Sequence, residues 1–287
     1  MRLAHLSDLH FGHHDDEVAA SLAAELDRQA LDLIVISGDF TQRGSEPEFK
    51  VAAAFLDTLT APVFAVPGNH DVPQVNMLRR FASPYGLYRR YVAKEMEPFL
   101  ELGGVALAGI KTAHRAMPGL NWSQGSFGRG QLRRLEMRFS GASADAIRIV
   151  VAHHPLLVPE NDLEVTMAPA RRADLALKTF AEAGVRLVLS GHYHLSYVRR
   201  HEHAGSVITG SPTGLRKAAF APILVAQASS TTSTRLRGHP NAYNLIDIAD
   251  GEIGIDVREW VDGSWSTQQR ATEAAEAPPP HLPGIRL

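Results

Sequence analysis

The sequence predicts an α/β fold that ends in an antiparallel β meander, and three observations support this. Up to Ser190, short runs rich in Val, Ile and Leu alternate with helical patterns, which is typical of strands covered on both faces. Beyond about residue 200, strand patterns follow one another with few helical signals. The composition, 45% hydrophobic and 21% charged over 287 residues, is that of a globular chain with a substantial core.

Six strands and four helices are predicted in the α/β part. The strands are Arg2–Ser7, Asp32–Ser37, Pro62–Val66, Val105–Ile110, Ile147–Ala152 and Val185–Ser190. The helices are Asp15–Gln29, Glu46–Leu59, Gly130–Phe139 and Ala170–Ala183. In the first helix, Val18, Leu22 and Leu26 recur four residues apart, so they form one apolar stripe that can face a core.

The later strands are predicted at Gly205–Thr209, Ile223–Ala228, Ala242–Ile248 and Glu252–Glu259. Asp250-Gly251, between the last two, is typical of a two-residue hairpin turn. We expect one domain over residues 1–270 and a flexible tail over residues 271–287, where three consecutive prolines occur. Within the domain, residues 72–104 are predicted to form a helical lid insertion without a strand.

Charge and cysteine content exclude several kinds of protein. The chain has no Cys, so disulfides and thiolate metal sites are excluded and any metal must be bound by N and O ligands. A net charge of −2 argues against a nucleic-acid partner. The N-terminus does not resemble a signal peptide, and no apolar run is long enough for a transmembrane segment, so we expect a soluble cytoplasmic protein.

Polar side chains follow five of the predicted strands at their carboxyl ends. They are Asp8 with His10, Asp39, Asn69 with His70 and Asp71, His153 with His154, and His192 with His194. Because the carboxyl ends of strands in an open α/β sheet share one edge, we expect these side chains to converge. Such a set exceeds the needs of one tetrahedral ion and suits two ions about 3.5–4 Å apart that share a carboxylate.

Taken together, these motifs resemble the full motif set of the calcineurin-like metallophosphoesterases. The matching blocks are Asp8-x-His10, Gly38-Asp39 with Gly44, Gly68-Asn69-His70-Asp71, His153-x-Pro155 and Gly191-His192-x-His194. Their spelling is most similar to the bacterial branch that contains class III cyclic nucleotide phosphodiesterases. The resemblance implies a four-layer αββα sandwich, in which mixed sheets are flanked by helices.

The resemblance also implies roles for individual residues. It implies two divalent or trivalent metal ions (Mn, Fe, Zn, Ni or Co), one bound by Asp8, His10 and His194, the other by Asn69, His153 and His192, and both bridged by Asp39. His70 is implied as the catalytic histidine, with Asp71 orienting its imidazole. His154 is expected to pack beside the ligands without binding metal.

The activity implied is phosphodiester hydrolysis by attack of a metal-bridging hydroxide on a small phosphodiester or nucleotide-type substrate, with cyclic nucleotides first. A glycerophosphodiesterase and a pyrophosphatase of a nucleotide-linked acyl sugar, as in lipid A synthesis, stay open as alternatives. A DNA nuclease and a non-catalytic scaffold are less favoured, since the net charge is not basic and every motif residue is present.

Seven further side chains are candidate substrate contacts, or alternatively solvated surface charges. They are Arg79, Arg80, Arg89 and Arg90 in the insertion, and Lys111, His114 and Arg115 after a strand. The segment Ser229–Gly238 is interpreted as either a loop between strands or an oligomer contact, so a homodimer is left open.

Overall fold

The computed structural model describes residues 1–116, 123–159, 167–203, 206–211 and 214–272. The helices are α1 (Asp16–Arg28), α2 (Glu46–Leu56), α3 (Met77–Ala82), α4 (Gly86–Tyr91), α5 (Arg129–Ser140) and α6 (Ala173–Glu182). The first seven strands are β1 (Arg2–Leu6), β2 (Leu33–Ile36), β3 (Val63–Ala65), β4 (Phe99–Leu102), β5 (Val105–Ile110), β6 (Ile147–Ala152) and β7 (Val185–Ser190). The later strands are β8 (Tyr197–His201), β9 (Ser206–Ser211), β10 (Gly214–Ala219), β11 (Ile223–Gln227), β12 (Ala242–Ala249), β13 (Glu252–Val261) and β14 (Ser264–Thr272).

Two six-stranded mixed sheets form the centre of the fold. Their strand orders are β14-β13-β12-β1-β2-β3 and β4-β5-β6-β7-β11-β8. Within them, β1 to β3 are parallel and β5 to β7 are parallel, whereas β12 runs antiparallel to β1. Helices α1 and α2 cover the first sheet, and α5 and α6 cover the second. The predicted fold class, mixed sheets flanked by helices in four layers, is confirmed.

The core between the sheets explains why the central strands are mainly apolar. Leu3 and Val35 of the first sheet lie in one buried cluster with Leu107 and Leu187 of the second. Their neighbours in sequence point the other way, so that Ala4, for example, packs against the helices. Because both faces of these central strands are covered, alternate residues enter different cores and most of them are apolar. His5 of β1 is a buried exception, and its Nε2 lies 3.0 Å from Ser37 Oγ.

The prediction that the insertion contains no strand is wrong. Phe99–Leu102 forms β4 and pairs antiparallel with β5, with Leu102 opposite Val105. The two residues between the strands are Gly103 and Gly104, with φ angles of 57° and 79°. Two glycines with positive φ are what a tight hairpin turn requires, so this pair was the sequence signal for the strand.

The second half of the chain departs from a simple meander. Strands β12, β13 and β14 do form one, on the edge of the first sheet, but β11 joins the second sheet parallel to β7. Strand β14 runs to Thr272 and so includes the first two residues of the predicted tail, 271 and 272. Residues 273–287 lie outside the described residues. In the described part of the chain, the helices are all too short or too polar to cross a bilayer.

A buried carboxylate joins helix α1 to the first sheet. Glu25 is 3% exposed and accepts hydrogen bonds from Arg258 on β13 at 2.5 Å, Tyr243 on β12 at 3.0 Å and Arg28 at 2.8 Å. Burial by itself would raise the pKa of Glu25, but the hydrogen bonds from Arg258, Arg28 and Tyr243 outweigh burial and lower that pKa below its usual value.

We predict that Glu25→Gln lowers the free energy of unfolding by about 3 kcal/mol at neutral pH, because it leaves the largely buried Arg258 guanidinium without a counter-charge. A urea titration measures this. The exposed pair Lys178–Glu182 provides the control, and Glu182→Gln should cost less than about 1 kcal/mol.

The pH dependence of this effect has a definite sign. The pKa of Glu25 is lower in the folded chain, so its stabilisation is complete above the usual value of 4.5 and is lost as the pH falls through the folded value. The difference between wild type and Glu25→Gln should therefore shrink in acid. Equal losses in Glu25→Gln and Glu182→Gln at neutral pH would contradict the proposed anchor.

Candidate functional site

The seven residues predicted as metal ligands lie together where the carboxyl ends of the two sheets meet. They follow β1 (Asp8, His10), β2 (Asp39), β3 (Asn69), β6 (His153) and β7 (His192, His194). All seven are buried, from 0% to 9% exposed. The expectation of a single sheet edge is corrected, since three of these strands belong to one sheet and two to the other. The site therefore lies between the sheets.

The backbone at this site is unusual. The φ angle is positive at five of the seven residues, namely Asp8 (52°), His10 (50°), Asp39 (56°), His192 (80°) and His194 (60°). Residues other than glycine rarely adopt this left-handed backbone conformation, and each one that does lowers the stability of the fold by about 1–3 kcal/mol. A spacing of two residues, as in Asp8 and His10 or His192 and His194, would place both side chains on one side of an extended backbone. Here the backbone is not extended at these residues, and turned loops direct the side chains inward.

Asp8, His10 and His194 form the first group of facing donor atoms. Asp8 Oδ1 lies 3.5 Å from His10 Nε2 and 3.3 Å from His194 Nε2, and the two Nε2 atoms are 3.3 Å apart. Asp8 Oδ1 is buried and accepts no hydrogen bond from any residue that the structure describes. Ligands about 2.1 Å from a tetrahedral ion are about 3.4 Å apart, so these three atoms suit a cation.

Asp39 lies between this group and a second one. Its Oδ2 is 3.8 Å from His10 Nε2 and 3.2 Å from His153 Nε2, which is also 3.2 Å from Asn69 Oδ1. The His192 ring centre lies 5.2 Å from that of His153. His153 Nδ1 donates to the Ser37 carbonyl at 2.9 Å, which leaves Nε2 facing Asp39. One carboxylate thus faces two clusters of N and O atoms.

Burial and charge act on these groups in opposite directions. Burial raises the pKa of Asp8 and Asp39, but the surrounding histidines outweigh it and hold both values below normal. At His153 burial lowers the pKa, and the charge of Asp39 outweighs that effect and raises it to about 9. Burial lowers the pKa of His10, and that of His192 to about 3. Ionised carboxylates and the neutral imidazoles of His10 and His192 are the protonation states that bind metal, whereas His153 must release its proton to do so.

His70 stands at the rim of this cluster and is half-buried. Its ring lies edge-on to His10, with the centres 4.7 Å apart, and its main-chain N–H donates to Asp39 Oδ1 at 2.8 Å. Its Nδ1 donates to the Gln42 carbonyl at 2.6 Å, so Nε2 is left for another partner.

Asp71 does not have the role that the sequence predicted. Its carboxylate accepts hydrogen bonds from the main-chain N–H of Gly68 at 2.8 Å and of Thr41 at 3.1 Å, which joins the loops after β2 and β3. The Gln42 carbonyl, and not Asp71, orients the imidazole of His70. Burial and the charge of Asp39 raise the pKa of Asp71 to about 7.

His154 is close to the cluster, with its ring centre 4.7 Å from that of His192. Its Nδ1 accepts from the Thr112 hydroxyl at 2.7 Å, and its Nε2 donates to the Ser123 carbonyl at 2.8 Å. Both ring nitrogens are therefore bound by protein groups. The sequence expectation that His154 packs beside the ligands fits this arrangement.

The Ser/Thr run after β11 supports the first motif, a role that the sequence did not reveal. Ser230 Oγ donates to the Asp8 carbonyl at 2.8 Å, and Thr232 Oγ1 donates to the Leu9 carbonyl at 2.7 Å. Residues 229–233 are at most 1% exposed. For these five residues the oligomer-contact interpretation is wrong, because they are buried within the chain.

Arg80 and Arg115, two of the candidate substrate contacts, bond to the main chain. Arg80 is 5% exposed and donates to the carbonyls of Arg115 at 2.7 Å and Pro73 at 2.9 Å. Arg115 donates to the Phe81 carbonyl at 3.2 Å. The prediction for Arg80 is therefore corrected, since its guanidinium ties the insertion to the loop after β5.

The other candidates separate into two places. Arg79 and Arg90 face Glu46 of α2, at 3.8 Å and 3.6 Å. Three more line a cavity of about 620 Å³ beside α5, namely Arg89, Lys111 and His114. The structure thus does not bring the seven candidate side chains to one point, and their contact with a substrate stays a prediction.

The similarity to known proteins covers the part of the chain that contains the seven proposed ligands. A model of the calcineurin-like phosphoesterase family matches residues 1–196. Glycerophosphodiester phosphodiesterase GpdQ of Enterobacter lignolyticus is 34% identical over 82 residues, which is 25% of this chain and 30% of that protein. A probable cyclic nucleotide phosphodiesterase of a Synechococcus species is 23% identical over 181 residues, 63% of this chain and 65% of that one. The chain thus covers less than two thirds of either relative.

Solved structures share the fold at low identity. A dimetal phosphatase from Danio rerio superposes with a TM-score of 0.66 at 12% identity, covering 95% of this chain and 98% of that one. A purple acid phosphatase from yellow lupin gives a TM-score of 0.61 at 13% identity, covering 95% of this chain and 53% of that one. These similarities support the two-sheet architecture.

The close approach of Gly68 to Asp39 leads to a prediction. A Cβ at position 68 would lie 2.0 Å from Asp39 Oδ1 and 2.4 Å from Asp39 N, so Gly68→Ala must displace Asp39. After dialysis against Mn²⁺, the variant should lose most of the bound metal in elemental analysis. Gly130→Ala is the control, since its Cβ meets only the end of Arg134 at 3.6 Å. Equal metal content in both variants would contradict this.

Proposed function

Because the chain belongs to the calcineurin-like phosphoesterase family, we propose that it is a binuclear metal-dependent phosphodiesterase acting on a small phosphodiester, with cyclic nucleotides as the first candidate. The observation that carries this proposal is the pair of donor-atom clusters on either side of Asp39. A structural network would pair its buried polar atoms with each other, whereas Asp8 Oδ1 and His10 Nδ1 have no hydrogen-bond partner among the described residues.

The donor set suits metal binding, and we assign each proposed ligand to a place. Asp8, His10 and His194 would hold one ion, Asn69, His153 and His192 the other, and Asp39 would contact both. Carboxylate, amide and imidazole ligands accept Mn, Fe, Zn, Ni or Co, so the metals are left open within this set. When bound, such a pair supplies a water of lowered pKa and positive charge for the phosphoryl oxygens.

His70 is the proposed catalytic residue. It is half-buried, so a substrate can reach it, and its Nδ1–H bond to the Gln42 carbonyl fixes the orientation of the ring. With a proton on Nε2 it would donate a hydrogen bond to a phosphoryl oxygen or a proton to the leaving oxygen. Thr41 and Asp71 hold the loops on which this ring stands, so they are positioning residues.

The substrate is proposed from the named relatives. Cyclic nucleotides are supported by the similarity to the Synechococcus protein, which covers 63% of this chain. A glycerophosphodiester is the second candidate, because the 82-residue match to GpdQ has the higher identity, 34%. The cytoplasmic location expected from the sequence belongs to this proposal.

A substrate panel tests the function. Protein reconstituted with Mn²⁺ is assayed with 3′,5′- and 2′,3′-cyclic nucleotides, glycerophosphocholine, a nucleotide-sugar pyrophosphate and bis(p-nitrophenyl) phosphate. We expect hydrolysis of the last compound and of at least one cyclic nucleotide. Failure with every compound would refute the phosphodiesterase, and cleavage of glycerophosphocholine alone would favour the second candidate.

We predict that His70→Ala retains its metal and lowers kcat by about 10²–10⁴-fold, because it removes a proton or hydrogen-bond donor but no proposed ligand. Elemental analysis and bis(p-nitrophenyl) phosphate kinetics measure both quantities. His203→Ala is the control, since that ring packs on Phe220 away from the site. Full activity of His70→Ala would contradict the assignment of His70 as the catalytic residue.

A further inference from the structure

A projection of apolar side chains, residues 75–81, follows the β3 loop that carries His70. Val75 is 78% exposed, Leu78 is 87% exposed and Met77 is 42% exposed. Four of the twelve large hydrophobic residues that are exposed in the described part of the chain lie within these seven positions. Scattered apolar residues are normal on a protein surface, but a cluster of this kind marks an interaction site.

Hydrogen bonds hold this apolar projection in place. Asn76 caps α3, with its Oδ1 accepting from Arg79 N at 2.9 Å. Gln74 N donates to the Arg43 carbonyl at 3.0 Å, and the buried Arg80 bonds to Pro73 O from the other side. The apolar side chains therefore stand out from an anchored backbone. A docking partner that covers them would remove this apolar surface from water, which is favourable.

Positive charge surrounds the apolar projection. Of the five Lys and Arg in residues 72–94, Arg79 and Arg90 lie here, beside Glu46. The others lie elsewhere, since Arg80 is buried and Arg89 and Lys94 line the cavity beside α5. Arg115 joins this group by donating to the Phe81 carbonyl at 3.2 Å. Among the described residues, two carboxylates face the group. Glu46 of α2 lies 3.8 Å from Arg79 and 3.6 Å from Arg90, and Glu48 lines a cavity together with Arg43, Val75 and Arg79. Arg43, Arg79, Arg90 and Arg115 outnumber these two carboxylates, so the surface carries a net positive charge.

We propose that the apolar projection docks on the surface of an anionic phospholipid bilayer. Val75, Met77 and Leu78 would enter the interface between headgroups and acyl chains, and the exposed arginines around them would bind the headgroup phosphates. Gln74 Nε2 lies 2.9 Å from His70 Nδ1, so docking would place the candidate site next to the lipid surface. The proposal concerns a binding surface and does not depend on the proposed hydrolysis.

Two other occupants fit the surface less well. In a two-fold dimer through the apolar projection, the same positive segment of each copy would face the other across the axis. A nucleic acid would satisfy the arginines, but Val75 and Leu78 would gain nothing from phosphate contacts. An anionic bilayer satisfies the charge and the apolar side chains together.

Vesicle co-sedimentation of the metal-loaded full chain tests the proposal. Vesicles of phosphatidylcholine are compared with vesicles that also contain phosphatidylglycerol, at low and high salt. We expect wild type to bind the anionic vesicles, less at high salt, and the double variant Val75→Ser, Leu78→Ser to bind them at least about tenfold more weakly. Met137→Ser, which removes an isolated side chain that is 65% exposed on α5, should bind like wild type.

Hydrolysis of bis(p-nitrophenyl) phosphate in solution should be equal in all three proteins, which separates this test from that of the proposed function. Absence of vesicle binding by wild type, equal binding to neutral vesicles, or undiminished binding by the double variant would each overturn the proposal. So would self-association in sedimentation equilibrium, or duplex DNA binding, that the double variant abolishes.

Discussion

The burial of two carboxylates beside several imidazoles is the constraint on which the rest of the structure depends. Asp8 and Asp39 are at most 1% exposed, and a buried charge is stable only where hydrogen bonds or opposite charges replace water. The chain supplies some of these: the Ser7 hydroxyl and the His192 N–H bind Asp8 Oδ2, and the His70 N–H binds Asp39. Asp8 Oδ1 is left for a cation.

The strand-end pattern was enough to predict which residues meet, because apolar runs that stop at Asp, Asn or His are visible in the sequence. The left-handed backbone at Asp8 and Asp39 could not be predicted, since no local sequence signal requires a non-glycine residue to adopt it. The support of Asp8 by Ser230, 222 positions away, depends on the tertiary fold. The orienting role that the resemblance implied for Asp71 was wrong, because its carboxylate turns to the main-chain N–H groups of Gly68 and Thr41.

The insertion shows why the sequence predicts which residues are charged but not which of them face the solvent. Arg79 and Arg80 are neighbours on one short helix, and consecutive helical residues point about 100° apart. Arg80 therefore enters the protein and bonds to two main-chain carbonyls, while Arg79 lies on the surface near Glu46. The same rotation that buries Arg80 leaves Leu78 in solvent. In the sequence these cations are neighbours, and only the fold shows which of them are buried and which face the solvent.

Anomalous diffraction from crystals grown with Mn²⁺ tests most directly whether Asp39 lies between two metal sites. We expect two anomalous peaks on either side of the Asp39 carboxylate. One should be bound by Asp8, His10 and His194, and the other by Asn69, His153 and His192. No peak near Asp39, or a single peak that leaves one of these groups empty at saturating Mn²⁺, would contradict the account.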